Sequence, residues 1–97
     1  VLLEVAGLKP EDLEEFIIAG AFGTYINVPS AVQIGMFPSL PIDRYHQVGN
    51  AAGEGAREML LSITQRSIAE DIARRIQYIE LSTYPGFANI FSKSLYL

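Results

Sequence analysis

Two glycine-rich segments are the parts of this sequence that could bind a ligand. The first, Gly-Ala-Phe-Gly at residues 20–23, follows an apolar run at residues 16–19. A strand that ends in glycines lets a ligand approach bare backbone, because no Cβ blocks the way. The second segment, at residues 49–56, places small residues at a helix N-terminus, where free N–H groups favour an anion or a close partner helix.

Neither segment matches a phosphate-binding signature. The lysine of a Walker A loop and the spacing of a dinucleotide fingerprint are both missing. Tight turns and close helix packing therefore stay open as alternatives to ligand binding. For Gly53, packing against a neighbouring helix is the favoured interpretation, since a glycine inside a helix costs about 1 kcal/mol relative to alanine and needs a compensating contact.

The other reactive side chains give weaker evidence of a functional site. His46 is the only histidine and falls in a predicted strand, where a packing role is favoured over that of a base. The acids at residues 11, 12, 14 and 15 lie at a predicted helix start, where carboxylates are stabilising, so a solvated face is favoured over a metal site. The chain has no cysteine to build a disulfide, an iron–sulfur cluster or a thiolate zinc site. We predict neither catalytic residues nor metal ligands in it.

The apolar pattern predicts an α/β domain that carries these segments. Residues 16–19 form a continuous apolar run, which is typical of a strand buried on both faces. Asn50 precedes a helical pattern that extends to about Ile63, and asparagine is a preferred N-cap residue. Further strands are predicted at 45–48 and 78–81, and further helices at 29–34, at 64–75 and from Pro85 onward. Strands alternating with helices indicate α/β layering.

Composition and charge narrow the class of protein. Of 97 residues, 49% are hydrophobic and 19% are charged, which is typical of a folded domain. The net charge of −4 and the lack of a basic stripe argue against a nucleic-acid partner. The apolar runs are far shorter than the ~20 residues of a membrane span, and no secretory signal opens the chain. We therefore expect a cytoplasmic protein, and the start at Val1 leads us to expect a piece of a longer chain.

The order of the segments resembles a known superfamily. The sequence FIIAGAFG at residues 16–23 looks like the adenosine motif of the ATPases that include sugar kinases, actin and heat-shock chaperones. The segment VGNAAGEGA, within residues 48–59, is similar to their second connecting motif. Three longer segments, AGAFGTYINVPSAVQIGMFPSLP, VGNAAGEGAREMLLS and YIELSTYPGFANIF, together resemble the C-terminal region of the reductive activators of corrinoid iron–sulfur proteins over residues 8–97.

This resemblance implies a fold and an activity. The fold would be part of an actin-like (ribonuclease-H-like) ATPase lobe, with short, largely parallel strands packed with helices and residues 1–97 forming a single C-terminal fragment. The full-length parent would use ATP and Mg to drive an electron from an iron–sulfur cluster onto a Co(II) corrinoid, giving Co(I). The cluster and the phosphate motifs would lie outside this fragment, so the fragment alone is expected to bind no cofactor and to have no catalytic activity.

The resemblance also implies residue roles and a partner. Four residues would line the adenosine pocket: Gly20, Ala21, Phe22 and Gly23, with Ala21 in place of the family's commoner second glycine. Five residues would pack at the interdomain hinge: Gly49, Asn50, Ala52, Gly53 and Ala56. The partner would be a corrinoid iron–sulfur protein or a corrinoid methyltransferase subunit. The alternatives are a non-catalytic interaction or oligomerisation module that self-associates, and a fragment of another actin-like iron–sulfur ATPase, such as a dehydratase activator.

Overall fold

The structure, a computed structural model, describes residues 1–96. Helices and strands follow one another in the order α1 (Leu2–Ala6), β1 (Phe16–Ala19), α2 (Ala21–Tyr25), α3 (Val28–Gln33), β2 (Tyr45–Gly49), α4 (Ala51–Leu61), α5 (Ile63–Arg75) and α6 (Phe87–Ser94). Short 3₁₀ turns lie at Pro10–Asp12, Ile42–Arg44 and Leu81–Thr83. Within these 96 residues, no helix combines the length and the apolar character that crossing a membrane requires.

The two strands pair in parallel. At their starts the rings of Phe16 and Tyr45 lie 5.6 Å apart, edge to face. Just past β1, the N–H of Gly20 donates to the carbonyl of Gly49 at the end of β2. Because the two strands start side by side and also end side by side, they run in the same direction. Parallel strands need a crossover connection, which is usually a helix. Helices α2 and α3 occupy that connection, which confirms the predicted α/β arrangement.

The chain divides into two compact units, of which the first comprises Val1–Phe16, Asn27–Tyr45 and the segment from Tyr78. In this unit the ring of Phe37 lies 5.0 Å from that of Phe16 and 6.4 Å from that of Tyr45. The Tyr45 hydroxyl donates to the Pro38 carbonyl and accepts the Leu40 N–H. These bonds hold the loop that contains Pro38 and Pro41 against the start of β2.

The second unit comprises Ile17–Ile26 and His46–Gln77, and it holds both glycine-rich segments. Helices α4 and α5 contact each other across a single residue, Ser62. Ser62 ends α4 with an extended backbone and begins α5, where its hydroxyl accepts the Gln65 N–H at 3.2 Å. The guanidinium of Arg66 donates to the Met59 carbonyl across the same corner. The predicted pair of helices is confirmed, with the break at Ser62.

Two sequence-based expectations are wrong, and one helix was missed. Residues 78–80 lie outside any regular element and lead into the 3₁₀ turn Leu81–Thr83, so the predicted strand at 78–81 does not form. Strand β1 is not buried on both faces, since Ile18 is 8% exposed whereas Ile17 is 59% exposed. Helix α2, which includes residues 21–23, was not predicted from the sequence.

Candidate functional site

Gly20 forms the junction between β1 and α2. Its backbone angles, φ 82° and ψ −166°, fall in a region that is essentially restricted to glycine. Its N–H donates to the Gly49 carbonyl with an N···O distance of 2.5 Å. A Cβ built on Gly20 would meet no atom of the described residues within 4 Å. The space beside this glycine is therefore open to another molecule.

Gly23 has a different role from Gly20. It is buried inside α2, and its backbone angles are those of an ordinary helix. An added Cβ would overlap the backbone carbonyl of Ile18 in β1 and would lie 3.4 Å from the Gly49 nitrogen. The missing side chain of Gly23 thus allows α2 to pack directly on the sheet.

The residues between these two glycines face outward. Ala21 is exposed, and the Phe22 side chain is 77% exposed, although large aromatic residues are usually buried to a great extent. The four residues of the predicted adenosine pocket therefore lie along a single turn. Within that turn, Gly20 and Phe22 are accessible and Gly23 is packed.

A further residue, which the sequence analysis did not single out, contacts the far end of α2. The side-chain amide of Gln47 in β2 donates to the Ile26 carbonyl at 3.0 Å. The last carbonyls of a helix have no partner inside the helix, and Gln47 supplies one for the residue that ends α2. A lone glutamine in a short strand gives no local signal for such a contact.

The predicted hinge residues form the start of α4. Gly49 has a φ of +64°, and the Asn50 side chain accepts the Gly53 N–H at 3.0 Å, which confirms Asn50 as the N-cap. Ala52, Gly53 and Ala56 are all exposed. The atoms nearest to a Cβ built on Gly53 belong to the Asn50 side chain, not to a neighbouring helix. Gly53 therefore leaves room for the capping side chain of its own helix.

The charges at this end of α4 form a local pair. The Arg57 guanidinium contacts the Glu54 carboxylate at 2.5 Å on the exposed surface. This hydrogen bond raises the pKa of Arg57 above its ordinary value. In the described part of the chain, no three acidic or histidine side chains come together to form a metal site. The cysteine-free sequence also lacks the thiolates that usually hold an iron–sulfur cluster, so such a cluster does not fit this chain.

Comparison with known proteins places this geometry in a family. Residues 1–97 match the family described as the C-terminal domain of RACo, the ASKHA domain. The chain is 43% identical over 91 residues to the corrinoid activation enzyme RamQ of Eubacterium limosum, covering 94% of this chain and 15% of the relative. It is 29% identical over 92 residues to the Co(II) methylated amine-specific corrinoid protein reductase of Methanosarcina barkeri, covering 93% of this chain and 17% of the relative. The chain spans about a sixth of the length of these relatives, and it belongs to the family of RACo C-terminal ASKHA domains.

Proposed function

We propose that this chain forms the adenosine-binding side of the ATP site in a reductive activator of corrinoid proteins. The relatives support the activity, since one is named a corrinoid activation enzyme and the other a corrinoid protein reductase. The reduction adds one electron to Co(II) and gives Co(I). We place the source of that electron, an iron–sulfur cluster, outside this chain, and we place the Mg and phosphate contacts of ATP there too. The full-length protein would act in the cytoplasm on a corrinoid iron–sulfur protein or a methyltransferase subunit.

One observation carries the assignment of the site. Gly20 combines a backbone conformation that demands glycine with open space where a side chain would be. In this proposal the adenosine lies against the backbone of Gly20, beside Ala21 and the exposed Phe22. Gly23 contributes by holding α2 against the Ile18 carbonyl. An aromatic face next to bare backbone suits a flat purine base, which gains from stacking and from close approach.

The place of Gly49 in the backbone supports the proposed hinge role. Its carbonyl accepts the N–H of Gly20, and the next residue, Asn50, is the N-cap of α4. A nucleotide that orders residues 20–23 would therefore also constrain the start of α4. We place the exposed small residues Ala52, Gly53 and Ala56 at the hinge between the two lobes of the full-length protein. Constraining the start of α4 would then favour one arrangement of these lobes and so gate electron transfer.

The test is Gly20→Val in the full-length protein, with Mg·ATP affinity measured by titration calorimetry. The valine side chain would fill the space proposed for the adenosine, so we expect at least a tenfold loss of affinity. Gly86→Val is the control, because Gly86 is also a helix N-cap with a φ of +84° and has no described atom near its Cβ position. Unchanged ATP affinity in Gly20→Val, or an equal loss in both variants, would contradict the assignment.

The two alternatives receive less support. A stand-alone interaction module and a dehydratase activator are not favoured, because the relatives are named as proteins that activate or reduce corrinoid proteins. The separating measurement is reduction of Co(II) in a corrinoid protein by the full-length protein with and without ATP. We expect Co(I) to form only when ATP is present, and no effect of ATP would count against the proposed activity.

A further inference from the structure

The two ends of α2 are both attached to β2. At the start, the N–H of Gly20 donates to the Gly49 carbonyl, and at the end the Gln47 side chain donates to the Ile26 carbonyl. Gly49 and Gln47 are two residues apart in the same strand. Strand β2 therefore holds the turn of the proposed adenosine site from both sides.

Helix α2 needs such attachments. It has five residues, and isolated helices shorter than about 12 residues are marginal in water. Its side chains add little packing, because Phe22 is 77% exposed and Tyr25 is 86% exposed. The contact of Gly23 with β1 fixes the middle of the helix, and the Gln47 amide is the side-chain contact at its end. Loss of that amide would let the last turn of α2 fray while leaving Gly20 bonded.

We propose that Gln47 is a positioning residue for nucleotide binding, acting through α2 and not by touching the nucleotide. This inference rests on the proposed function, because it assigns Gln47 to the adenosine site of residues 20–23. Its hydrogen bond to Ile26 keeps α2 formed and holds Phe22 at a fixed place relative to Gly20. The nucleotide then binds a preformed turn and does not bear the cost of ordering it.

The first test is Gln47→Met in the full-length protein, since methionine keeps the length of the side chain but has no N–H donor. A net hydrogen bond of about 1 kcal/mol corresponds to a roughly three- to tenfold change in affinity. We expect the KM for ATP in the ATPase reaction to rise by about that factor while kcat stays within twofold. A purely structural role would instead lower kcat, because less folded protein would be present, and would leave KM unchanged.

Matched variants complete the experiment. Gln65→Met makes the same chemical change at an exposed residue of the same unit and is expected to leave KM unchanged. Gln47→Lys restores an N–H donor within reach of Ile26 and is expected to bring KM back to within twofold of the original value, with Gln65→Lys as the control for the added charge. An unchanged KM in Gln47→Met, an equal rise in Gln65→Met, or no recovery in Gln47→Lys would overturn the role of Gln47.

The failure of this inference is distinguishable from failure of the proposed function. If the unmodified protein does not bind Mg·ATP, or if Gly20→Val binds it normally, the adenosine site itself is wrong. If ATP binds and Gly20→Val lowers the affinity at least tenfold, but Gln47→Met has an unchanged KM, only the positioning role is wrong.

Discussion

Gly23→Ala is the most direct test of how α2 is packed. In an exposed helix this change is stabilising by about 0.5–1 kcal/mol, because alanine loses less backbone entropy on folding. At Gly23, however, the new methyl group would overlap the Ile18 carbonyl oxygen and would lie 3.0 Å from its carbon. These are backbone atoms of a strand, so relief requires α2 to move away from β1.

The expected magnitude follows from the cost of overpacking. Inserting a methyl group into a closely packed site typically costs about 1–3 kcal/mol, which exceeds the gain in helix propensity. We expect a net loss of about 1–2 kcal/mol, local to β1 and α2. Hydrogen exchange of the full-length protein measures such local opening, and the protection of the amides at residues 16–26 should fall by roughly 5- to 30-fold.

Gly55→Ala is the control, and we expect it to have the opposite effect on hydrogen-exchange protection. Gly55 also lies inside a helix, α4, but a Cβ built there meets no described atom within 4 Å. The same substitution should therefore raise the protection of the α4 amides by up to about fivefold, corresponding to a gain of up to ~1 kcal/mol. If Gly23→Ala also raises protection, or leaves it unchanged, the close approach of α2 to Ile18 is refuted.

Two further predictions concern local contacts. Gly53→Ala should leave the stability of α4 nearly unchanged in the unmodified protein. The new methyl group displaces the Asn50 side chain, and the lost cap and the gained helix propensity are each worth about 1 kcal/mol with opposite signs. In an Asn50→Ala background it should stabilise α4 by about 1 kcal/mol, and equal effects on hydrogen exchange in both backgrounds would contradict this reasoning. The hydroxyls of Ser82 and Tyr78 both donate to the Glu80 carboxylate and lower its pKa, so Ser82→Ala should raise that pKa towards its ordinary value in an NMR titration. The stabilisation they give is present above the unfolded-state pKa of the carboxyl group and is lost as pH falls through the lower folded-state value; an unchanged pKa in Ser82→Ala would show that the Ser82 bond does not form in solution.

Local signals in the sequence predicted the elements whose ends are set by neighbouring residues. Asn50 was expected to cap α4, and its side chain accepts the Gly53 N–H. Gly7 ends α1 in a left-handed conformation, with a φ of +71°, and glycine is the residue most often found there. Both interactions span only a few residues, so the residue types themselves carry the information.

The sequence was misleading where side-chain hydrogen bonds or packing on the sheet determine the backbone conformation. The alternation at residues 78–81 resembled a strand, but the Glu80 carboxylate accepts bonds from the hydroxyls of Tyr78 and Ser82, and the chain turns there. Such local side-chain bonds compete with strand pairing. Helix α2 was not predicted, because Gly23 was interpreted as part of a glycine-rich segment that ends a strand, whereas its lack of a side chain allows close contact with the Ile18 carbonyl. That contact depends on how α2 packs on the sheet, which no local pattern reveals.

Glycines that look alike in the two motifs do physically different things. Gly20 is needed for its backbone angles and leaves open space, whereas Gly23 has ordinary angles and is needed for close packing. Gly53 makes room for the Asn50 cap, and Gly55 meets no described atom and has no structural requirement of this kind. Alanine at position 21 is compatible with the same turn, because Ala21 is the first, exposed residue of α2 and needs no positive φ. The proposed adenosine site therefore depends on three features: Gly20 leaves space for the ligand, Gly23 lets α2 pack closely on β1, and β2 holds both ends of α2.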